Sequence, residues 1–233
     1  MRCSSAAFWV LSCTISVMAL KTPASRQTAS TETRIIRFST AERTVHWAVA
    51  LAFLYATLTG LALWSPRLFW LSAIFGGGTT VRAWHPWGGV LFALFFAVMF
   101  RRWNRQMRLD GDDRRWLRLA HRYAVHDESG LPEAGRFNAG QKALFWMQAS
   151  SGSLLLLTGL VLWWPEIMPR LLREISVLIH PIAAVVSIGG LIIHVYMGTA
   201  AVPGAFRGMT QGWVTSEWAA SHHSKWYREI RRR

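Results

Sequence analysis

The chain has 233 residues, of which 52% are hydrophobic and only 16% charged, with a formal net charge of +14. The charges are clustered, and they leave four long apolar stretches uninterrupted. Positive charge confined to the segments between such stretches points to membrane lipid as the partner and excludes nucleic acid.

Residues 1–43 form an N-terminal tail, polar and basic over 21–43. Within it, Arg2 followed by Ala6–Leu20 has the pattern of a signal peptide. Cleavage there would leave the basic segment 21–43 outside, against the charge rule. A start at Met18, with residues 1–17 mis-assigned to the chain, fits better; a mature end near Ser25 would contradict it. The first apolar span runs from Thr44 to Pro66. Leu68–Val81, containing Gly76-Gly77-Gly78, reads as an outer loop at the interface, and the second span opens at Trp84-His85-Pro86 and closes at Arg101-Arg102. Residues 101–142 are a charged connection, too long for a simple turn, with a short helix expected around Arg114–Tyr123. The third span runs from about Ala143 to Trp164-Pro165, the fourth from about Ile175 to Val202-Pro203, and 207–233 are a basic tail.

Thr44–Pro66, Ala83–Phe100, Ala143–Pro165 and Ile175–Phe206 contain no Asp, Glu, Lys or Arg. About 20 apolar residues cross the ~30 Å hydrocarbon core as a helix. The stretches do not alternate in polarity, as barrel strands would. The fold class is therefore an all-α membrane protein, a four-transmembrane-helix bundle spanning residues 44–206. The 101–142 connection carries ten Lys/Arg and the tail ends in Arg231-Arg232-Arg233, whereas Ser65–Arg82 holds only Arg67 and Arg82. Basic loops stay cytoplasmic, which places both termini on the cytoplasmic side of a bacterial inner membrane.

Four of the eight histidines, His46, His85, His180 and His194, lie within the apolar stretches. A polar side chain at membrane depth is costly and has a partner or a task, and imidazole is an axial ligand of haem iron. With spans running alternately in and out, His46 and His194 share the inner depth and His85 and His180 the outer. His180 and His194 are fourteen residues apart, which is ~21 Å along a helix and only ~40° around it, so both face one side. One helix can thus serve two stacked haems, in the pairs His46–His194 and His85–His180. For any single histidine, a hydrogen bond to a neighbouring helix is the duller alternative. Both cysteines, Cys3 and Cys13, fall near the N-terminus, so no Cys-x-x-Cys-His attachment exists and two b-type haems are expected. Gly60, Gly88, Gly89, Gly159, Gly189 and Gly190 would let a flat ring approach the backbone, or serve helix packing alone. His121, His126, His222 and His223, amid charge, are expected to face solvent. Pro86 suits a first helical turn; Pro181 implies a late start or a kink in the fourth span.

From about Arg34 to Ile230 the chain resembles the cytochrome b (gamma) subunit of respiratory formate dehydrogenase. The resemblance rests on Glu42-Arg43-Thr44-Val45-His46-Trp47, Arg82-Ala83-Trp84-His85-Pro86, Arg136-Phe137-Asn138-Ala139-Gly140-Gln141-Lys142, Ile192-Ile193-His194-Val195-Tyr196-Met197 and His222-His223-Ser224-Lys225-Trp226-Tyr227-Arg228-Glu229-Ile230. It implies two b haems with the pairing above, and a quinone site (menaquinone or ubiquinone) at Asn138, Gln141 and Met197 beside the inner haem. It also implies an iron–sulfur beta subunit and a catalytic alpha subunit containing molybdenum or tungsten. Electrons would pass from the iron–sulfur partner through the outer and inner haems to quinone. Asn138 also reads as a helix cap. The cytochrome b subunit of a nickel–iron hydrogenase or thiosulfate reductase would share the histidines. A haem-free membrane anchor is the rival of another class.

Overall fold

The computed structural model describes residues 33–124 and 130–232; the signal-like segment, the candidate start at Met18 and His126 lie outside them. The helices are α1 (Thr40–Trp64), α2 (Gly78–Trp103), α3 (Gly111–Arg118), α4 (Ala120–Ala124), α5 (Ala139–Trp163), α6 (Arg170–Tyr196), α7 (Ala205–Thr210), α8 (Ser216–His222) and α9 (Ser224–Arg231). Helices α1, α2, α5 and α6 are long and apolar enough to cross a membrane. Only 17–22% of the residues in their apolar windows are buried within the chain, so lipid must cover the remaining apolar surface. The protein is a multi-pass membrane protein.

Local chemistry sets the helix ends, and it extends the spans beyond their charge-free cores. Ser39 and Glu42 form a capping box at the start of α1, as Asn138 and Gln141 do for α5 and Asp110 and Asp113 for α3, each satisfying orphan amides of a first turn. α2 begins at Gly78 rather than Trp84, and α6 at Arg170 rather than Ile175. Pro86 therefore lies inside α2 and not in its first turn. α6 runs through Pro181 without a late start. Each proline removes the amide that would bond to the carbonyl of residue 82 or 177. α6 widens into a π turn over Met197–Ala201 and stops ahead of Pro203. The expected short helix in the central connection is present as α3 and α4.

α1 packs on α2 and α5 on α6 as two hairpins, joined mainly where α2 meets α5. Phe38, Val49, Phe53, Phe92, Met99, Trp103, Phe137 and Phe145 form a buried cluster toward one end of the bundle. At the other end Pro66–Phe75 coils as a 3₁₀ segment whose Leu71 packs with Ala62 and Val81. Trp64, Trp70, Trp84 and Trp87 there are exposed, as an interfacial belt requires.

The two tails form a structure of their own. β1 (Arg34–Ile36) pairs antiparallel with β2 (Trp213–Thr215), with Ile35 opposite Val214. Val214, Ala219 and Trp226 make a small core against Ile35. This pairing puts the start of α1 and the end of α6 on one side of the membrane. His223, expected in solvent, is instead buried. Its Nδ1 donates to Gly135 O at 2.6 Å and its Nε2 accepts from Arg37 Nη2 at 2.9 Å. His222 is half-buried and stacks on Trp218 at 4.9 Å. Helices α8 and α9 fold back over the connection ahead of α5, and that contact covers the His223 ring, whereas His222 is covered by Trp218 of its own helix. His121 is exposed, as expected.

Candidate functional site

α1 places His46 near its start and α6 places His194 near its end, so both lie at the end of the bundle that carries the tails. His85 on α2 and His180 on α6 lie toward the opposite end. Ring centroids are 6.0 Å apart for His46 and His194 and 6.3 Å apart for His85 and His180. The structure thus brings together the two pairs expected from depth, and no others among the four. Two imidazoles that face each other across one metal, through bonds of about 2.0–2.1 Å, have ring centres roughly 6.3 Å apart. Both pairs fit a shared iron. Among the described residues no group of three or more His, Cys, Asp or Glu converges on a common point.

The His85–His180 pair has two hydrogen-bond partners, Thr59 on α1 and Thr158 on α5. Thr59 Oγ1 lies 2.9 Å from His85 Nδ1 and 2.7 Å from Tyr55 O. Thr158 Oγ1 lies 2.8 Å from His180 Nδ1 and 2.6 Å from Leu154 O. A hydroxyl has one proton, and a carbonyl can only accept it. Each threonine therefore donates to its carbonyl and accepts from the imidazole, which puts the ring proton on Nδ1 and leaves the Nε2 lone pair bare. That is the tautomer a metal needs. The following glycines complete each seat. A Cβ on Gly60 would stand 3.1 Å from His85 Cε1, and one on Gly159 3.3 Å from His180 Cε1. Gly88 and Gly190 serve packing instead, against Tyr55 and Met147, while Gly89 and Gly189 face open space.

A signal for these seats was present in the sequence. Leu58-Thr59-Gly60-Leu61-Ala62-Leu63-Trp64 and Leu157-Thr158-Gly159-Leu160-Val161-Leu162-Trp163 share a Leu-Thr-Gly-Leu-x-Leu-Trp pattern. Each precedes a His-Pro pair on the next long helix, so the two hairpins repeat one device.

Asn138 and Gln141 lie at the start of α5 and Met197 just past the end of α6, at the end of the bundle that carries the tails. The amide oxygens of Asn138 and Gln141 are taken by each other's backbone, at 2.9 and 3.0 Å, so the cap expected of Asn138 is present. Their amide nitrogens have no protein partner among the described residues. Nearby, Glu42 accepts from Trp103 Nε1 at 2.9 Å and pairs with Arg136 at 2.9 Å. Arg136 in turn donates to Arg37 O at 2.7 Å. Burial and the adjacent Arg136 charge lower the Arg37 guanidinium to about 9, so it is still cationic at neutral pH. Lys142 at the start of α5 meets Asp113 of α3 at 2.5 Å, both largely buried.

Four membrane-spanning helices carrying opposed imidazole pairs at two depths define a class, the multi-pass membrane cytochromes b. The sequence profile of prokaryotic cytochrome b561 matches residues 37–212. The formate dehydrogenase cytochrome b556(fdo) subunit of Escherichia coli K12 is 36% identical over 202 residues, covering 85% of this chain and 94% of that protein. The formate dehydrogenase cytochrome b556 subunit of Haemophilus influenzae Rd is 34% identical over 206 residues, covering 86% and 85%. The nitrate-inducible cytochrome b556(Fdn) subunit of E. coli K12 is 34% identical over 199 residues, covering 84% and 91%. The chain belongs to the prokaryotic cytochrome b561 family, and haem b is the cofactor of that class.

Proposed function

We propose that this chain is the di-haem membrane subunit of a formate dehydrogenase, carrying electrons from an iron–sulfur subunit at the outer face to membrane quinone at the inner. The observation that carries the proposal is the pair of imidazole couples, 6.0 and 6.3 Å between ring centres, at the two ends of α6. His85 and His180 would hold the outer haem, and His46 and His194 the inner. Bound haem supplies a one-electron ferric/ferrous couple at each depth. The names of the relatives favour formate as the ultimate donor. The oxidation of formate is assigned to a molybdenum- or tungsten-containing alpha subunit reached through the iron–sulfur partner.

Asn138 and Gln141 would hold the quinone. With both amide oxygens committed to the cap, their free N–H groups are left to donate to a quinone carbonyl, with Met197 on the facing end of α6. Reducing that quinone takes two electrons and two protons, and the inner aqueous phase lies next to the cap. The basic connection and tail sit at this same end, which supports a cytoplasmic placement of both termini in the inner membrane.

Formate-dependent reduction of b haem in membranes containing the whole complex tests the proposal. Formate should reduce both haems and a quinone-site inhibitor should leave them reduced. Reduction by hydrogen and not by formate would assign the chain to a hydrogenase instead.

A further inference from the structure

We propose that Thr59 and Thr158 are positioning residues that set the outer haem at a lower reduction potential than the inner one. The inference rests on the di-haem reading above and extends it to the order of the two potentials.

The two histidine pairs differ in what holds their second nitrogen. In the outer pair each Nδ1–H is given to a threonine oxygen at 2.9 or 2.8 Å, with the Leu155 carbonyl as a second acceptor beside His180, and each threonine oxygen is fixed by its own bond to a carbonyl one helical turn back. Gly60 and Gly159 lie against the same rings at distances that leave no room for a Cβ without moving them. In the inner pair, His46 Nδ1 is buried and has no hydrogen-bond partner among the described residues, and His194, an exposed residue, has no threonine seat of this kind among them. An imidazole that donates from Nδ1 is a stronger electron donor through Nε2. A stronger axial donor stabilises ferric over ferrous iron and so lowers the potential. Among the described residues two such donors act on the outer site and none of this kind on the inner.

An electron arriving at the outer face would then move toward the quinone end downhill. The repeat of the Thr-Gly seat on both hairpins is what a device for one shared site requires, since a single threonine would fix only one of its two ligands.

The test is a redox titration of the b-type absorbance in the purified complex, with Thr59→Val, Thr158→Val, the double variant and the two Thr→Ser variants. His85→Ala identifies the outer component as the one it removes. Each valine should raise that component's midpoint, on the order of tenfold in its one-electron equilibrium or about 59 mV. The double variant should raise it further, while serine variants keep the wild-type value and the other component stays fixed. An outer midpoint that is unmoved or falls, or a shift confined to the inner component, would overturn the proposal. If a valine variant loses the outer haem, retention of that haem by the serine variant supports the hydroxyl's role, and loss in both overturns it. A wild-type protein titrating as a single haem would end the di-haem reading itself, and it would do so before any substitution is made.

Discussion

Acid should release the C-terminal tail through one residue. Burial, with help from the Arg37 charge, lowers the His223 imidazole to about 3, whereas a released tail has a histidine near 6.5. Below 6.5 the released state binds a proton that the packed state refuses until about 3. The stability from a neutral His223 is therefore complete above about pH 6.5 and is lost as pH falls toward 3. Each unit in that window is worth about 1.4 kcal/mol. Going from pH 7.5 to pH 5 thus costs roughly 2 kcal/mol, about 30-fold in the closing equilibrium. The bond from Arg228 holds the Glu133 carboxyl below its ordinary value, and comparison with His223→Gln, which keeps every other titrating group, isolates this histidine. The assay is hydrogen exchange of the amides in α8 and α9, expressed as protection relative to intrinsic rates. His223→Gln keeps a donor for Gly135 O and an acceptor for Arg37, and should make protection nearly independent of pH. An equal loss of protection in wild type and His223→Gln would refute the reasoning.

Three further outcomes follow from particular contacts. Asp113→Asn leaves Lys142 buried beside a neutral partner and should cost about 3–5 kcal/mol, read as a lower unfolding midpoint; adding Lys142→Met should recover most of it. Gly88→Ala would put a Cβ 2.4 Å from Tyr55 Cδ1 and should destabilise the α1–α2 hairpin by about 1–3 kcal/mol, whereas Gly89→Ala, facing open space, should leave the haem-free protein's melting unchanged. Asn138→Ala should cost about 1 kcal/mol through the lost cap. Asn138→Ser restores the cap without the amide, so it should regain stability yet still reduce quinone slowly; full recovery of turnover in the serine variant would argue against a quinone contact.

The spans and the histidine pairing were legible in the sequence because both follow from one-dimensional patterns. Charge-free runs mark the helices, and an interval of fourteen residues puts His180 and His194 on one face. Helix ends were less legible, since Gly78, Ala139 and Arg170 lie outside the apolar runs and their place in the helices depends on caps and interfacial polar residues. The threonine seats join residues on different helices, and only the repeated Leu-Thr-Gly-Leu-x-Leu-Trp pattern hinted at them. The burial of His223 could not be read from its charged neighbours, because it depends on Arg37 and Gly135, both far away in the chain. The same long range hid the pairing of β1 with β2, which brings together residues at opposite ends of the described chain.

The central claim is that two imidazole pairs hold two haems at two depths. Haem stoichiometry of the purified complex, followed through single alanine substitutions of the four histidines, tests it most directly. Two non-covalent b haems per chain are expected, with His85→Ala and His180→Ala each removing one and sparing the other, and His46→Ala and His194→Ala doing the reverse. One haem per chain, or two that survive all four substitutions, would contradict it.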